Sequence, residues 1–382
     1  MRILHTADWH LGKILHGVPL LEDQAHVLEQ ICAIAEAQKP DVILIAGDLY
    51  DRSVPPADAV RLLSDTLGRL VALGVPVLVI AGNHDAPDRL EFGAGIFAQH
   101  QLHIVGHYRA DAEPIRIEDD HGPVDFYLLP YLHPSAVRIE LDDDSFMTHE
   151  AATAAALKAW ESRWDADTPG ARKVLAAHAF VEGGSESDSE RPLMVGGSGT
   201  VPSGVFDSFD YVALGHLHAP QTMGRSSICY SGSIMKYSLS EVEHSKSVSL
   251  VDVGAEGEIS VEQIPLSARR DLRRITGKLQ TLLDNPPLPG TDEDYIVATL
   301  LDKTALLDPM GRLREIFPNI LAIERPHLER RDDEAELSRE DLKQDDADLF
   351  ASFFQQVTGE KLLKSQRTAF TKVAEEILAE VD

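Results

Sequence analysis

Eight side chains of the types that hold divalent cations fall in five short blocks, each preceded by an apolar run. The blocks are Asp8 with His10, Asp48, Asn83 beside His84, His178, and His216 with His218. Carboxylate, amide and imidazole donors without thiolate suit Mn²⁺, Fe²⁺ or Zn²⁺ better than Ca²⁺ or Mg²⁺. One carboxylate shared between two such ions would hold them about 3.5–4 Å apart, the spacing for in-line displacement at phosphorus. Asp8/His10 and His216/His218 are each spaced i, i+2, which in extended backbone puts both side chains on one side. Such a pair can grip one ion or split between two. Singly, each block is weak, because a strand-end Asp ordinarily caps a turn and an isolated His lies at the surface or hydrogen-bonded in a core. His5, His16, His26, His100, His103, His107, His121, His149, His244 and His327 are assigned to that ordinary class, and His133 is not counted in the site. All five blocks together are poorly explained by chance.

The elements that must position these residues are legible from hydrophobic patterning. Val42 to Ala46 is an apolar, β-branched run that ends in Gly47-Asp48. It reads as a strand buried on both faces, and open α/β sheets place ligands at such strand ends. Ile3 to Ala7, Val75 to Ile80, Lys173 to Ala177 and Tyr211 to Leu214 have the same form. Helices are predicted from Leu21 to Gln38 and after Pro55-Pro56, the second with Val60, Leu63, Leu67 and Leu70 on one face and Gly74 beyond its end. Strand–helix–strand–helix–strand order predicts parallel pairing. Ile115 to Ile117 and Val124 to Leu129 flank a predicted hairpin turn, and an alanine-rich helix follows over His149 to Trp164. Gly183 to Thr200 reads as a long mobile loop, rich in Gly, Ser and acids. Ile228 to Tyr230 and Val248 to Val253 read as closing antiparallel strands, with Ile259 to Ile264 after them. The expectation is a two-sheet α/β sandwich to about Arg270.

Beyond it, Leu272 to Pro326 reads as a small α/β unit, with strands at Leu272–Ile275, Tyr295–Leu301 and Ile320–Ile323 and a helix at Arg312–Phe317. Glu329 to Asp348 is crowded with acids and reads as a solvated linker. Two amphipathic helices end the sequence, one carrying Leu349, Phe350, Phe353, Phe354 and Val357, the other Leu362, Leu363, Phe370, Val373, Ile377 and Leu378. They dock on a partner or pack on this chain's own globule, and the partner is modestly favoured.

Composition narrows the class. With 382 residues, 43% hydrophobic and 26% charged, the sequence is that of an ordinary globular protein. Its two cysteines, Cys32 and Cys229, are too few and too distant for a disulfide framework or a thiolate metal site. Met1 runs straight into a strand without a signal peptide, and no apolar run is long enough to cross a bilayer, so the expected location is cytoplasmic, away from membranes. A formal charge of −28 argues against holding nucleic acid by electrostatics alone. It leaves room for bound cations or a basic partner.

Asp8-x-His10, Gly47-Asp48-x-x-Asp51, Gly82-Asn83-His84-Asp85, His178 and Gly215-His216-x-His218 resemble the full signature of the calcineurin-like metallophosphoesterases. Within that superfamily the sequence is similar to the SbcD-type nucleases. Met1 to Gly12, Leu128 to Leu132, Tyr230-Ser231-Gly232-Ser233 and Tyr237 to Glu241 carry this closer likeness. The resemblance implies an αββα sandwich over residues 1–270, a small α/β capping domain over 271–326, and an acidic linker with C-terminal helices over 327–382. It implies two Mn²⁺ per chain, with Mg²⁺, Fe²⁺ or Zn²⁺ as possible substitutes. Asp8, His10, Asp48 and His218 would bind one ion and Asp48, Asn83, His178 and His216 the other. His84 would face the scissile phosphate as a catalytic residue. Asp51 either orients and charges His84 or caps the turn.

The implied activity is that of a Mn²⁺-dependent DNA nuclease, a double-strand exonuclease and single-strand endonuclease that processes DNA ends in recombination and repair. The implied partners are DNA ends or hairpins and an SbcC-type, SMC-like ATPase gripped by the C-terminal helices. The implied assembly is a homodimer within a heterotetramer, with Pro56 to Phe97 as the candidate dimer region. A phosphodiesterase or phosphatase for small nucleotides or phosphoproteins shares the superfamily motif. A DNA-tethering scaffold with structural metal is the third reading, and the thiolate-free ligand set with a spare His84 disfavours it.

Overall fold

The computed structural model describes residues 1–164, 170–190, 199–287, 293–326, 350–351, 354–355, 358 and 360–379. The acidic stretch Glu329–Asp348, together with Leu349, Phe353 and Val357, lies outside the described residues, as do the side chains of Ile377 and Leu378. The chain divides into two compact units, Met1–Arg269 and Arg270–Asp382.

The first unit holds two six-stranded sheets. In one, the order is Ile259–Pro265, Ser247–Val253, Arg2–Thr6, Val42–Ala46, Val77–Ile80 and Leu102–Val105. The last four strands are parallel and the first two antiparallel. In the other sheet, the order is Gln221–Met223, Arg225–Tyr230, Tyr211–Gly215, Arg172–His178, Gly122–Leu129 and Ile115–Asp119. Its four central strands are parallel and both edges antiparallel.

Strand alternation explains the layering. Ile3, Val42, Leu44, Ala46, Leu78 and Ile80 meet Val124, Phe126, Val174, Ala176, Tyr211 and Ala213 in one buried cluster between the sheets. Residues of opposite parity, Leu4, Ile43, Ile45 and Val79, are also wholly buried. The helices Leu21–Gln38 and Ala57–Val71 bury Val27, Leu28, Ile31, Leu63, Leu67 and Leu70 on that side. The outer face of the second sheet packs Tyr127, Leu175, Val212 and Leu214 against Ala152, Ala156, Leu157 and Trp160 of the helix His149–Glu161. Each fully buried aliphatic or aromatic side chain contributes about 1.5–3 kcal/mol, so strands apolar on both faces are stable only in such a covered position.

Three details depart from the sequence-based expectations. Arg225–Tyr230 runs parallel to Tyr211–Gly215 rather than antiparallel. The chain makes one extra reversal through Gln221–Met223, with Gly224 at φ +67° supplying the tight turn that returns it. A short edge strand, Leu102–Val105, extends the first sheet where no strand was expected. In the second unit the helix spans Pro309–Arg314 rather than Arg312–Phe317. Asp308 accepts a hydrogen bond from the Gly311 amide and Pro309 opens the first turn, so the helix nucleates earlier.

The second unit has a three-stranded parallel sheet, Leu272–Gly277, Tyr295–Leu300 and Ile320–Glu324. Ile275, Leu279, Leu282, Ile296, Ala298, Leu313 and Phe317 form its core. A helix over Lys364–Ala379 follows, and Phe370 stacks on Phe350 with ring centroids 4.0 Å apart. Among the described residues no helix is long and apolar enough to cross a membrane.

Candidate metal centre

All seven proposed ligands and His84 converge at the C-terminal ends of the central strands of both sheets. Asp8 and His10 follow Arg2–Thr6, Asp48 follows Val42–Ala46, and Asn83 and His84 follow Val77–Ile80. His178 ends Arg172–His178, while His216 and His218 follow Tyr211–Gly215. Asp8, His10, Asp48, His178, His216 and His218 are each at most 3% exposed.

The i, i+2 pairs are not presented by extended backbone. Asp8, His10 and Asp48 adopt left-handed conformations, at φ 53°, 44° and 51°, and His216 lies at φ 114°. Each such non-glycine residue costs about 1–3 kcal/mol and persists only where its surroundings over-determine it. Here the loops are stitched together. Asp8 N donates to the Gly47 carbonyl at 3.0 Å, His10 N to the Asp48 carbonyl at 2.9 Å, and Leu11 N to the Leu49 carbonyl at 2.9 Å. Asp48 Oδ1 accepts from His84 N at 2.8 Å, and Asp8 Oδ1 from His216 N at 3.0 Å. Close approach needs glycine at two places. A methyl added at Gly82 would overlap the Asp48 carboxylate, and one at Gly215 would overlap the Ala46 carbonyl.

The side-chain geometry fits cations. Asp48 Oδ2 lies 3.6 Å from His10 Nε2, 3.6 Å from His178 Nε2 and 3.9 Å from His84 Nε2. These gaps are too long for hydrogen bonds and are the spans expected between donors about 2 Å from a shared ion. His178 Nδ1 faces the Ala46 carbonyl at 2.9 Å, so it carries the proton and Nε2 presents a lone pair toward the site. His218 Nδ1 faces Glu241 Oε1 at 3.0 Å, which leaves its Nε2 a lone pair 3.0 Å from His10 Nε2. His10 Nδ1 is buried without a partner. Either tautomer of His10 therefore leaves a buried nitrogen unsatisfied, at a cost of about 1–3 kcal/mol. Asn83 Oδ1 sits 2.9 Å from His178 Nε2 and 3.1 Å from His216 Nδ1.

Electrostatics agree. Burial, and then the neighbouring Asp48 charge, push Asp8 well above the usual carboxylate range. Burial holds His10 and His216 well below the ordinary imidazole value and His178 down to about 4. Neutral imidazoles are the metal-binding form, and two buried carboxylates side by side need compensating positive charge. Three overlapping groups could each hold an ion: Asp8, His10 and His218; His10, Asp48 and His84; Asp8, Asp48 and His178.

Asp51 reaches His84 through its main chain. Its backbone carbonyl, not its carboxylate, meets His84 Nδ1 at 2.8 Å. The carboxylate pairs with Lys13 at 2.9 Å. The chain turns at Asp51 so that its main chain faces the imidazole and its side chain faces away. His84 Nδ1 thus donates to a carbonyl, and its Nε2 looks into the site.

Several residues that hold the ligands were not singled out by sequence reasoning. Asp85 accepts from the amides of Gly82, Leu49 and Tyr50 at 2.9, 3.2 and 3.0 Å, tying two ligand loops together. Gln24 donates to the His10 carbonyl at 2.7 Å and to Tyr237 Oη at 3.1 Å. Glu190 Oε1 accepts from His218 N at 2.8 Å. Ser187, Ser189 and Glu190 thus make ordered contacts within the stretch read as a loop. The signals in the sequence were the positions of Asp85 in Gly82-Asn83-His84-Asp85 and of Tyr237 and Glu241 in the Tyr237–Glu241 stretch, since both stretches contribute to the family likeness.

Residues 1–220 match the family described as calcineurin-like phosphoesterase. Residues 268–358 match the SbcD C-terminal family, described as the type 5 capsule protein repressor C-terminal domain. Among solved structures, the chain is similar to a dimetal phosphatase from Danio rerio, at 15% identity and TM-score 0.42, covering 70% of this chain and 99% of that one. A protein of Thermus thermophilus is similar at 15% identity and TM-score 0.39, covering 69% and 98%. GAP50, the anchor in the inner membrane complex of Plasmodium, is similar at 12% identity and TM-score 0.37, covering 70% and 89%. This chain belongs to the calcineurin-like metallophosphoesterase family, a class of metal-dependent phosphoester hydrolases. Its two matched regions together are those of an SbcD-type nuclease subunit.

Proposed function

We propose that this protein is the Mn²⁺-dependent nuclease subunit of an SbcCD-type complex, acting as a double-strand exonuclease and single-strand endonuclease on DNA ends. The observation that carries the reading is the convergence of Asp8, His10, Asp48, Asn83, His178, His216 and His218 around facing imidazole lone pairs. Asp8, His10, Asp48 and His218 would hold one ion and Asp48, Asn83, His178 and His216 the other. When bound, such a pair of cations neutralises phosphodiester charge and lowers the pKa of a bound water.

The protein's own contribution is placement and proton handling. His84 keeps its Nδ1 proton on the Asp51 carbonyl. Once the ring takes up a second proton, that proton sits on Nε2, facing the site, and can pass to the leaving oxygen, work suited to imidazole near neutral pH. Asp48 anchors His84 through its backbone amide while its other oxygen faces the imidazoles. The left-handed turns at Asp8, His10 and Asp48 preset these positions before substrate arrives.

Residues 1–270 would form the nuclease domain, 271–326 the cap, and 327–382 the linker and helices that engage an SbcC-type ATPase. The ATPase would supply the basic DNA track that a chain of charge −28 lacks. The apolar surface of Val60, Phe92, Ile96 and Phe97 supports self-association within the heterotetramer, since each is at least 38% exposed. The test is degradation of linear double-stranded DNA by the full chain with its ATPase and Mn²⁺, with His84→Gln and Asp48→Ala as controls. Intact DNA with the loaded complex, or full activity in His84→Gln, overturns the reading.

A further inference from the structure

We infer that Glu241 is a positioning residue that makes the Asp8/His10/His218 position the tighter of the two cation positions. The inference deepens the two-cation reading above and rests on it.

The two sides of the site are supported differently. On one side, His178 is oriented by a neutral backbone carbonyl, that of Ala46. On the other, His218 is oriented by a wholly buried carboxylate, Glu241, at 3.0 Å from Nδ1. A carboxylate behind an imidazole fixes its tautomer and raises its basicity as a ligand, and losing such a partner commonly weakens metal binding 10- to 100-fold.

Glu241 is itself firmly held. Oε2 pairs with Lys246 Nζ at 2.6 Å, and Oε1 accepts from Ser187 Oγ at 3.1 Å, from Ser238 Oγ at 3.3 Å and from Ser189 Oγ. Lys246, also buried, donates to the His218 carbonyl at 2.9 Å and to Ser233 Oγ at 2.8 Å. Ser189 Oγ lies 2.6 Å from His218 Nδ1, and Glu190 accepts from the His218 amide. His218 is therefore gripped at its amide, its carbonyl and its ring by residues 187–190 and 241–246. Among the described residues, no carboxylate stands behind the His178 ring in this way: its Nδ1 is taken by the Ala46 carbonyl. Every group around Glu241 donates to it: Lys246 Nζ, the His218 ring and the serine hydroxyls. It acts as an anionic acceptor.

The test is titration of the metal-free full chain with Mn²⁺ alone, followed by electron paramagnetic resonance or equilibrium dialysis. The parent is expected to bind two ions in two steps. Glu241→Gln, which keeps the shape and loses the charge, is expected to weaken the tighter step 10- to 100-fold and leave the weaker step unchanged. In a His178→Ala background the added substitution is expected to weaken the remaining ion by the same factor. In a His10→Ala background, where that position is already weakened, it is expected to leave the other step unchanged. Should Glu241→Gln unfold through the stranded Lys246, the isosteric pair Glu241→Gln/Lys246→Met and the single Ser189→Ala provide the measurement instead. Both are expected to weaken the same step, Ser189→Ala by a few-fold. Parent-like affinity in these folded variants, or equal weakening of both steps, overturns the inference. A parent that does not bind two ions overturns the two-cation reading instead.

Discussion

His10 and His218 point their Nε2 atoms at one another across 3.0 Å, while the Nδ1 of His218 is committed to Glu241 and that of His10 has no partner. Two imidazoles so arranged in a water-poor site are complementary to a cation and not to each other. Metal removal should therefore destabilise the fold. Chelation is expected to lower the melting temperature, and Mn²⁺ at about 100 times its dissociation constant to restore about 2.7 kcal/mol. Differential scanning calorimetry with and without chelator checks this, and an unchanged melting temperature contradicts it.

Among the described residues, Asp48 is the one whose carboxylate reaches toward His10, His84 and His178 together. Asp48→Ala is expected to lose both ions, and His10→Ala to weaken mainly one. Metal-to-protein ratios measured after gel filtration distinguish the two results.

His84→Gln is expected to fold and to retain metal, because its backbone amide still reaches Asp48. Hydrolysis should fall roughly a hundred- to ten-thousand-fold, the range for loss of a general acid or base. Equal metal content with lost turnover is the diagnostic combination.

Asp51→Asn leaves the carbonyl that orients His84 in place and removes only the charge facing Lys13. Turnover is expected to stay within about tenfold of the parent, with a loss of about 1 kcal/mol of stability from a partly exposed ion pair. A fall in turnover as deep as that of His84→Gln would return the carboxylate to a catalytic role.

Acid should destabilise the metal-free protein through its buried histidines. Burial holds His5, set between the sheets against Tyr211 and Leu214, down to about 3, and His178 down to about 4. Below the ordinary imidazole value near 6.5 the unfolded chain takes up protons that the fold refuses. Their contribution is thus complete above about pH 6.5 and is lost as pH falls toward about 3. Asp8 and Asp85, whose carboxyls are raised, oppose this slope. Comparing melting temperature against pH for the parent and His5→Gln isolates the histidine contribution. The substitution is expected to flatten the acid limb.

Gly215→Ala tests the closeness of the two sheets, since the added methyl would overlap the Ala46 carbonyl and crowd His178. A loss of about 1–3 kcal/mol is expected from overpacking, with weaker metal binding on the His178 side.

The sequence by itself determined the strands that lead into the site and the donor types at their ends. Buried parallel strands are apolar on both faces, and a polar residue at their ends stands out, so Asp8, Asp48, Asn83, His178 and His216 could be read from local pattern alone. The helices Leu21–Gln38 and Ala57–Val71 were legible from their 3.6-residue periodicity. Only the tertiary structure decided how the ligands are presented. The left-handed backbone at Asp8, His10 and Asp48 is offset by hydrogen bonds between loops distant in sequence, which no local propensity encodes. The turn of Asp51 toward Lys13, the parallel pairing of Arg225–Tyr230 and the grip of Glu241 and Lys246 on His218 have the same origin. Each depends on which chain segment arrives from across the fold, and pairwise contacts between remote segments leave no periodic trace in a single sequence.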